Sequence, residues 1–298
     1  MSLSKVVLKS NADKPLATSG CWQPALDNDL LGIRKVITTC DNFSVDIDLT
    51  YIPIEDRKTS FKNIIESLGQ IKAKLEKILP EATITLKEET LKLQITTVNA
   101  QIKLEVNQIN RGVMDDTVTL SLCEKTQEEF DAFCAIQVVP LGQLYGGKIC
   151  AALDRQHPRD LFDVKYLLQN EGFTEEIKKG FLLFLLSSNR PLHEMLHPNF
   201  IDQRETLVNQ FEGMSEEPFT YEDFEKTREE LIKTIYQNLT EKDKEFLLSF
   251  GEGTPNWEIY DFERFPAVQW KLQNLTKLKN SNPEKHESFV ASLKKVLY

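Results

Sequence analysis

Hydrophobic and polar residues alternate along residues 43–51, which predicts a β-strand with one buried face. The apolar positions are Val45, Ile47, Leu49 and Tyr51. The polar positions are Ser44, Asp46, Asp48 and Thr50. We expect the strand to end at Pro53, because proline cannot donate a hydrogen bond to a sheet.

The following hydrophobic pattern predicts one long helix and several short strands. Ser60 is a candidate N-cap, and apolar residues recur at helical spacing from Phe61 until Pro80. Period-2 alternation predicts strands at 82–86, 91–97, 102–108, 118–122 and 135–139, and a short regular element precedes them at 30–38. Residues 43–140 therefore indicate an α+β domain with a mixed sheet.

From Leu141 onward the pattern changes to helical periodicity. Helices are predicted at 141–153, 159–169, 174–188, 202–211, 221–239, 242–250, 267–279 and 283–297. We thus predict two domains, an α/β domain over residues 1–140 and an all-helical domain over 141–298, which pack together. Residues 1–42 show no long regular pattern.

Composition narrows the class of protein. The net charge of −10, from 36 Lys and Arg against 46 Asp and Glu, argues against indiscriminate binding to nucleic acids. It leaves open a local basic groove, or carboxylates gathered around a metal ion. The chain has no apolar run of membrane-spanning length, no secretion signal, and five cysteines without a CxxC pair. We therefore expect a cytoplasmic protein with reduced thiols and no membrane partner.

Asp46 and Asp48 are the sharpest chemical feature of the chain. Two carboxylates at positions i and i+2 of a strand point the same way, with Cα atoms roughly 6.5 Å apart. This spacing suits two oxygen ligands of one Mg²⁺ ion, which keeps its other positions for water and phosphate oxygens. The alternative interpretation is that the two acids only solvate one face of a strand.

A second cluster surrounds the predicted start of a helix at Pro158, a position where proline is tolerated. Asp160 and Asp163 are three residues apart and share roughly one helix face. Lys148 lies on the preceding helix and can hold a triphosphate as a point charge. The alternative is a salt-bridged helical hairpin in which Arg159, Asp160 and Asp163 tie the helices together.

These motifs resemble those of the AbiEii/AbiGii-type toxin nucleotidyltransferases, within the DNA polymerase β-like superfamily. Phe43–Pro53 and the following Glu55–Ser60 are similar to the core motif of the family. Gly147–Val164 is similar to its lysine helix and to the Pro-Arg-Asp-Leu-Phe-Asp start of the next helix. Ile102–Asn107 more weakly resembles the strand that supplies a third carboxylate. The resemblance extends over residues 43–298.

The resemblance implies a nucleotidyltransferase-like sheet domain and a helical domain that completes the active-site cleft. It implies transfer of a nucleoside monophosphate from an NTP to a tRNA or protein hydroxyl, with Mg²⁺ or Mn²⁺ as cofactor and a cognate antitoxin as partner. The implied catalytic residues are Asp46, Asp48, Glu105 and Asp160, of which Asp46 and Asp48 bind the metal. The implied nucleotide-binding residues are Ser44, Lys148, Arg159 and Asp163. For Glu105, a salt bridge at the sheet edge is the alternative role.

The chain departs from the family pattern upstream of Asp46. The family has a glycine turn there, whose backbone amides approach the nucleotide phosphates. The nearest candidate, Thr18–Gly20, ends 26 residues before Asp46. This departure indicates a rearranged nucleotide pocket, an altered N-terminus or lost catalysis. Two alternative functions therefore stand beside transfer: a catalytically degenerate fold that acts as a binding protein, and, with less support, a phosphate-cleaving enzyme.

Overall fold

The computed structural model of the chain describes residues 31–33, 46–98, 101–121, 127, 133, 135–215 and 217–298, with the backbone alone for 31–33 and Asp46. The motif position Ser44 and the candidate turn Thr18–Gly20 lie outside the described residues. The chain divides into two compact units, Met1–Pro140 and Leu141–Tyr298.

In the first unit, the described strands form one mixed sheet. The strands are β1 (Leu31–Ile33), β2 (Asp46–Tyr51), β3 (Thr83–Lys87), β4 (Lys92–Thr96), β5 (Gln101–Val106), β6 (Val118–Ser121) and β7 (Ala135–Val138). Their order across the sheet is β3-β4-β5-β2-β1-β7-β6. The pairs β2–β5 and β1–β7 are parallel, and the remaining pairs are antiparallel.

Alternation in β2 follows the predicted pattern on its apolar side, where Ile47, Leu49 and Tyr51 are buried. Thr50 on the other side was expected to be solvated, and it is buried too. Strand β2 lies inside the sheet, with β1 and β5 hydrogen-bonded on either side. The carboxylate Asp48, two residues earlier, remains half-buried.

Among the described residues of this unit, the long helix α1 (Arg57–Ile78) packs against β3 and β4 through its buried apolar stripe. Its N-cap is Asp56, whose Oδ1 accepts hydrogen bonds from the backbone N–H groups of Lys58 (2.9 Å) and Thr59 (3.1 Å). The prediction of Ser60 as N-cap is wrong. Ser60 lies inside the first turn and donates its hydroxyl to the Asp56 carbonyl (2.9 Å), because an aspartate at the cap satisfies the free amides one turn earlier.

All the regular secondary-structure elements among the described residues of the second unit are helices. Its helices are α2 (Leu141–Arg155), α3 (Pro158–Asn170), α4 (Glu175–Leu185), α5 (Leu192–Leu196), α6 (Arg204–Gln210), α7 (Tyr221–Asn238), α8 (Glu241–Gly251), α9 (Pro266–Ser281) and α10 (Pro283–Leu297). The expected α+β class, a mixed sheet followed by a helical region, is confirmed. Only the five-residue α5 was not predicted, because it is too short to show a period. None of the helices in the described ranges has the length and apolarity that a bilayer crossing requires.

Helices α2 and α4 approach each other unusually closely, because glycines face each other at the crossing. A Cβ atom on Gly180 would collide with the backbone carbonyl of Gly142, and one on Gly146 would collide with the backbone of Gly180. The absence of side chains therefore allows backbone-to-backbone contact. This contact fixes α2, the helix that carries Lys148.

Candidate active site

The parallel pairing of β2 with β5 brings together the polar residues of two strands that are far apart in sequence. Asp48 is the register partner of Glu105, and Asp46 is the register partner of Lys103. Register partners on neighbouring strands lie on the same face of a sheet. Glu105 therefore lies beside Asp48, as the third-carboxylate hypothesis requires.

Glu105 also has a partner on its other side. It is the register partner of Lys92 in β4, and the Lys92 ammonium lies 2.7 Å from Glu105 Oε1. Lys87 in β3 is opposite Lys92 in turn. The salt bridge expected as the alternative for Glu105 is therefore present, although β5 lies inside the sheet and not at its edge. The same carboxylate also neighbours Asp48.

The carboxylate oxygens on the sheet face that carries Asp48 and Glu105 suit a hard divalent cation. Asp48 and Glu105 offer carboxylate oxygens, and Mg²⁺ is commonly bound by one or two carboxylates together with substrate phosphates and water. Within the described part of the chain, no group of three or more His, Cys, Asp or Glu side chains is placed to hold a metal ion. The face therefore fits an ion that shares its ligands with a phosphate-bearing substrate.

In the second unit, α2 and α3 bring the Gly147–Val164 motif together through two ion pairs. Lys148 pairs with Asp163, and both side chains are largely buried, with exposed fractions of 13% and 22%. Arg155 holds Asp160 with two hydrogen bonds, from Nε to Oδ2 (2.5 Å) and from Nη2 to Oδ1 (2.8 Å). Two parallel bonds of this kind are the strongest geometry of an arginine–carboxylate pair.

The salt-bridged hairpin is therefore present for Asp160 and Asp163, although it uses Lys148 and Arg155 as the cations. Arg159 does not take part in it. Its side chain is exposed, and Nη2 donates to the Gln210 carbonyl at 3.2 Å. Because α3 begins at Pro158, Arg159 occupies the second position of the helix.

The junction between α2 and α3 is held in a backbone conformation that L-residues rarely adopt. Gln156 has φ of +49° and is buried. Its side-chain amide donates to the Asn199 carbonyl (2.7 Å), and its Oε1 accepts from the Ile201 amide (3.1 Å) and from Arg228 Nη1 (3.0 Å). These bonds compensate for the strain and fix the path from Lys148 to Asp160.

His157 then closes the junction as the N-cap of α3. Its Nδ1 accepts from the Arg159 amide at 3.2 Å, and its Nε2 lies 3.2 Å from Gln210 Oε1. Sequence reasoning missed the roles of Gln156 and Arg228, because no sequence pattern marks a left-handed glutamine or an arginine 72 residues away that supports it.

A second buried arginine lies beyond the end of β5. Arg111 is 94% buried, and its Nε and Nη1 have no hydrogen-bond acceptor among the residues that the structure describes. Burial lowers its pKa, as does the positive charge of Arg57, whereas Asp56 and Tyr51 act in the opposite direction. Burial also raises the pKa of the Tyr51 hydroxyl, which donates to Glu55 Oε2 at 2.7 Å. The sequence gives no signal for this buried arginine.

The site residues expected from the sequence thus fall into two groups. Asp46, Asp48 and Glu105 lie on adjacent strands of the sheet in the first unit. Lys148, Arg159, Asp160 and Asp163 lie on the α2–α3 hairpin of the second unit.

Comparisons with known proteins identify the fold and the family. Among solved structures, the fold resembles MenT4, a nucleotidyltransferase toxin from Mycobacterium tuberculosis H37Rv, with a TM-score of 0.52 and 11% sequence identity over 78% of each chain. At this identity the likeness shows the fold alone. No curated protein sequence matches the chain. The profile described as "Nucleotidyl transferase AbiEii toxin, Type IV TA system" matches residues 41–274. The chain therefore belongs to the AbiEii family of nucleotidyltransferase toxins.

Proposed function

We propose that this protein is a metal-dependent nucleotidyltransferase that transfers a nucleoside monophosphate from an NTP to a hydroxyl of a tRNA or protein acceptor. The observation that carries the proposal is the β2–β5 register, in which Glu105 lies beside Asp48. Asp46 precedes Asp48 by two residues on the same strand. Like charges at opposed positions repel each other. A sheet that keeps two such carboxylates together suits a bound cation, and the family assignment gives that cation a reaction to serve.

The proposed roles in the first unit follow from oxygen chemistry. Asp46 and Asp48 would hold Mg²⁺ or Mn²⁺, and Glu105 is the third carboxylate beside them. When bound, such an ion neutralises charge on the triphosphate and favours displacement at phosphorus. The acceptor oxygen forms a bond to the α-phosphorus, the bond from that phosphorus to the β-phosphate oxygen breaks, and pyrophosphate leaves. Glu105 is the candidate for accepting the proton of the acceptor hydroxyl.

The α2–α3 hairpin would supply the contacts to the nucleotide. Lys148 is the candidate cation for the phosphates, and Asp163 orients its ammonium in the unliganded protein. Asp160 organises the hairpin through Arg155. Arg159 is exposed and available to an anion, and Ser44 completes the proposed nucleotide contacts.

A catalytically degenerate member of the family that acts as a binding protein is the second candidate. It is favoured by the ion pairs just described, because Glu105, Lys148 and Asp160 all have protein partners already. The missing glycine turn upstream of Asp46 favours it as well. The retained Asp-Ile-Asp strand and Pro-Arg-Asp-Leu-Phe-Asp helix favour the enzyme.

One experiment distinguishes the transferase from the catalytically degenerate binding protein. The purified protein is incubated with each labelled NTP, Mg²⁺ and either total bacterial RNA or total bacterial protein. The transferase leaves label on one acceptor, and a variant with Asp46→Asn and Asp48→Asn leaves none while retaining its circular dichroism spectrum. Asp116→Asn, on an exposed residue of the same unit, is the matched control and keeps full transfer. No label on any acceptor with any NTP would favour the binding protein, and full activity of the double variant would exclude the proposed metal site.

Family membership also implies a biological context. A type IV toxin implies a cognate antitoxin, and we infer that both act in the cytoplasm. Expression of the wild type is expected to arrest bacterial growth, whereas the variant with Asp46→Asn and Asp48→Asn is expected to be harmless at equal protein level. Equal toxicity of the two would separate growth arrest from the proposed chemistry.

A further inference from the structure

Positive charge is concentrated at the C-terminal end of an otherwise acidic chain. Residues 264–298 hold seven Lys or Arg and two Asp or Glu, whereas residues 1–263 hold 29 Lys or Arg and 44 Asp or Glu. The last two helices, α9 and α10, make up most of this basic segment. A polyanion is therefore repelled by most of the chain and attracted to this part.

Helices α9 and α10 form a hairpin around Asn282, which ends the first helix and caps the second. The two helices pack side by side, because Leu275 of α9 and Phe289 and Leu293 of α10 line one small internal cavity. Positions equally far from Asn282 therefore lie at the same level of the hairpin. Trp270 and Lys294 are each twelve residues from Asn282.

Three lysines of this hairpin lie at its surface. Lys277, Lys294 and Lys295 are exposed, and none has a carboxylate partner among the described residues. Of the exposed lysines elsewhere, Lys62 and Lys226 are paired with Glu66 and Glu222 of their own helices, whereas Lys233 and Lys242 have no ion pair among the described residues. The ammonium groups of Lys277, Lys294 and Lys295 are therefore available to an external anion.

The same hairpin carries an exposed indole. Trp270 is 60% exposed, the most solvent-accessible aromatic side chain in α9 and α10. Apart from Lys277 and Lys279, the exposed side chains that follow it along α9 are amides and hydroxyls: Gln273, Asn274, Thr276, Asn280 and Ser281. Aromatic rings beside cations stack on unpaired bases, and amides form hydrogen bonds to base edges and sugars.

We propose that the α9–α10 hairpin is an RNA-binding surface, with Lys277, Lys294 and Lys295 on phosphates and Trp270 stacked on an unpaired base. The polar stripe of α9 fits nucleic acid better than a lipid surface, which requires an apolar face on an interfacial helix. This inference deepens the proposed function by assigning a surface to an RNA acceptor. It rests on that function only for the biological role, because binding itself needs neither NTP nor metal.

The test measures binding without catalysis. Fluorescence anisotropy follows a labelled RNA stem–loop with an unpaired 3′ tail as the full chain is added, with EDTA and no NTP present. Three lysine–phosphate contacts give a salt slope of about −2.1, so affinity is expected to fall about 20-fold between 50 and 200 mM salt. The variant with Lys294→Glu and Lys295→Glu is expected to bind at least about tenfold more weakly, with a slope shallower by about 1.4.

The matched control reverses the charge of two lysines of α7 and so changes the net charge by the same amount. The variant with Lys226→Glu and Lys233→Glu is expected to bind RNA as the wild type does. Trp270→Ala is expected to weaken binding about tenfold without changing the salt slope, because stacking releases no counterion. An equal loss in the control pair, or wild-type binding by the Lys294 and Lys295 variant, would overturn the proposal.

A polyglutamate peptide tests the remaining explanation, in which the surface binds an acidic protein in place of RNA. If the peptide binds with the same dependence on Lys294 and Lys295 and the RNA does not, the surface serves an acidic protein and the RNA proposal fails. Label transfer is measured separately on the same variants. Loss of RNA binding with retained transfer to protein leaves the transferase proposal intact, whereas RNA binding without any transfer supports the surface and contradicts the enzyme.

Discussion

Asp48 of β2 lies directly opposite Glu105 of the parallel strand β5, and Glu105 is in turn paired with Lys92 of β4. One of the two neighbouring carboxylates thus has a cation of its own. Asp48 has no ion-pair partner within the ranges that the structure describes. Its charge is the one that a divalent ion on this face would balance, which makes Asp48 the residue on which metal binding is most directly tested.

We predict that Mg²⁺ stabilises the wild-type fold and that Asp48→Asn abolishes this effect. A ligand that binds only the folded state at one hundred times its Kd adds about 2.7 kcal/mol to the free energy of unfolding. Without metal, Asp48→Asn is expected to change that free energy by no more than about 0.5 kcal/mol, because the side chain is half-buried and unpaired. Urea unfolding with Mg²⁺ or with EDTA measures both quantities.

Asp116→Asn is the control for this prediction and should keep the full response to Mg²⁺. Equal stabilisation of wild type and Asp48→Asn by the ion would place the metal elsewhere. Marked unfolding of Asp48→Asn in EDTA would instead make Asp48 a structural residue of the sheet.

For the nucleotide, we predict weak binding that depends on Lys148. The sequence shows no glycine motif of the family's kind at its usual spacing before Asp46. Each amide hydrogen bond that such a turn would supply contributes on the order of 1 kcal/mol, so the loss of two or three would lower affinity by roughly 10²-fold. NTP–Mg²⁺ is therefore expected to bind with a Kd in the high micromolar to millimolar range. Calorimetric titration with a non-hydrolysable NTP measures it, and Lys148→Ala should remove detectable binding.

Lys165 provides a matched control in the same unit. It is also largely buried and lies 3.6 Å from a carboxylate, that of Asp223. Loss of either lysine is expected to destabilise the helical unit by about 1–3 kcal/mol. Only Lys148→Ala should also lose NTP binding. Equal NTP affinities for the two variants would remove Lys148 from the nucleotide site, and sub-micromolar wild-type affinity would show that another turn replaces the missing glycines.

The sequence was sufficient for the elements that a single periodicity defines. The Asp-Ile-Asp strand, α1 and the start of α3 at Pro158 all lie where the pattern of apolar residues and prolines places them. The cap of α1 was misplaced by four residues, because Asp56 and Ser60 are both good cap residues and the hydrophobic stripe begins only after the second. Local sequence patterns predict the type of an element more accurately than they predict its first residue.

Long-range partners were less accessible from the sequence. The position of Glu105 beside Asp48 depends on a strand order that alternation does not encode, so the sequence left its role open. The pairing of Asp160 with Arg155, in place of Arg159, depends on the left-handed turn at Gln156. That turn is held by Arg228, which belongs to a helix that begins 65 residues later. Such contacts arise from tertiary packing and leave no periodic trace.

The close crossing of α2 and α4 leads to a prediction about stability. Gly180→Ala is expected to destabilise the protein by about 1–3 kcal/mol or more, because the new methyl group would overlap the backbone at Gly142 and force the helices apart. Gly69→Ala is the matched control, a glycine inside α1 with no atom near its would-be Cβ. That change should stabilise by about 0.5–1 kcal/mol through helix propensity.

Urea unfolding midpoints of the two glycine variants measure the contrast. Opposite signs are expected, although both variants replace a helical glycine by alanine. If Gly180→Ala proved as stable as the wild type, α2 and α4 would not be in backbone contact, and the position of α2 relative to α4 would have to be revised.

Lys271 leads to a prediction about pH. This lysine of α9 is buried, and its ammonium donates to the carbonyls of Ser188 (2.8 Å) and Arg190 (2.6 Å). Burial lowers its pKa to about 8, from an ordinary value of 10.5. Between these two values the unfolded chain binds a proton that the folded protein does not. The free energy of unfolding therefore rises with pH over this window, by up to about 3 kcal/mol.

Lys271→Met removes this titration, so the stability of the wild type relative to the variant is expected to increase as pH rises from 8 to 10.5. Urea unfolding of both proteins at several pH values gives the difference, in which the other titrating groups cancel. Lys277→Met, on an exposed lysine of the same helix, should show no such trend relative to the wild type. A constant difference between wild type and Lys271→Met across the window would mean that the carbonyls of Ser188 and Arg190 keep Lys271 charged, with hydrogen bonds that outweigh the cost of its burial.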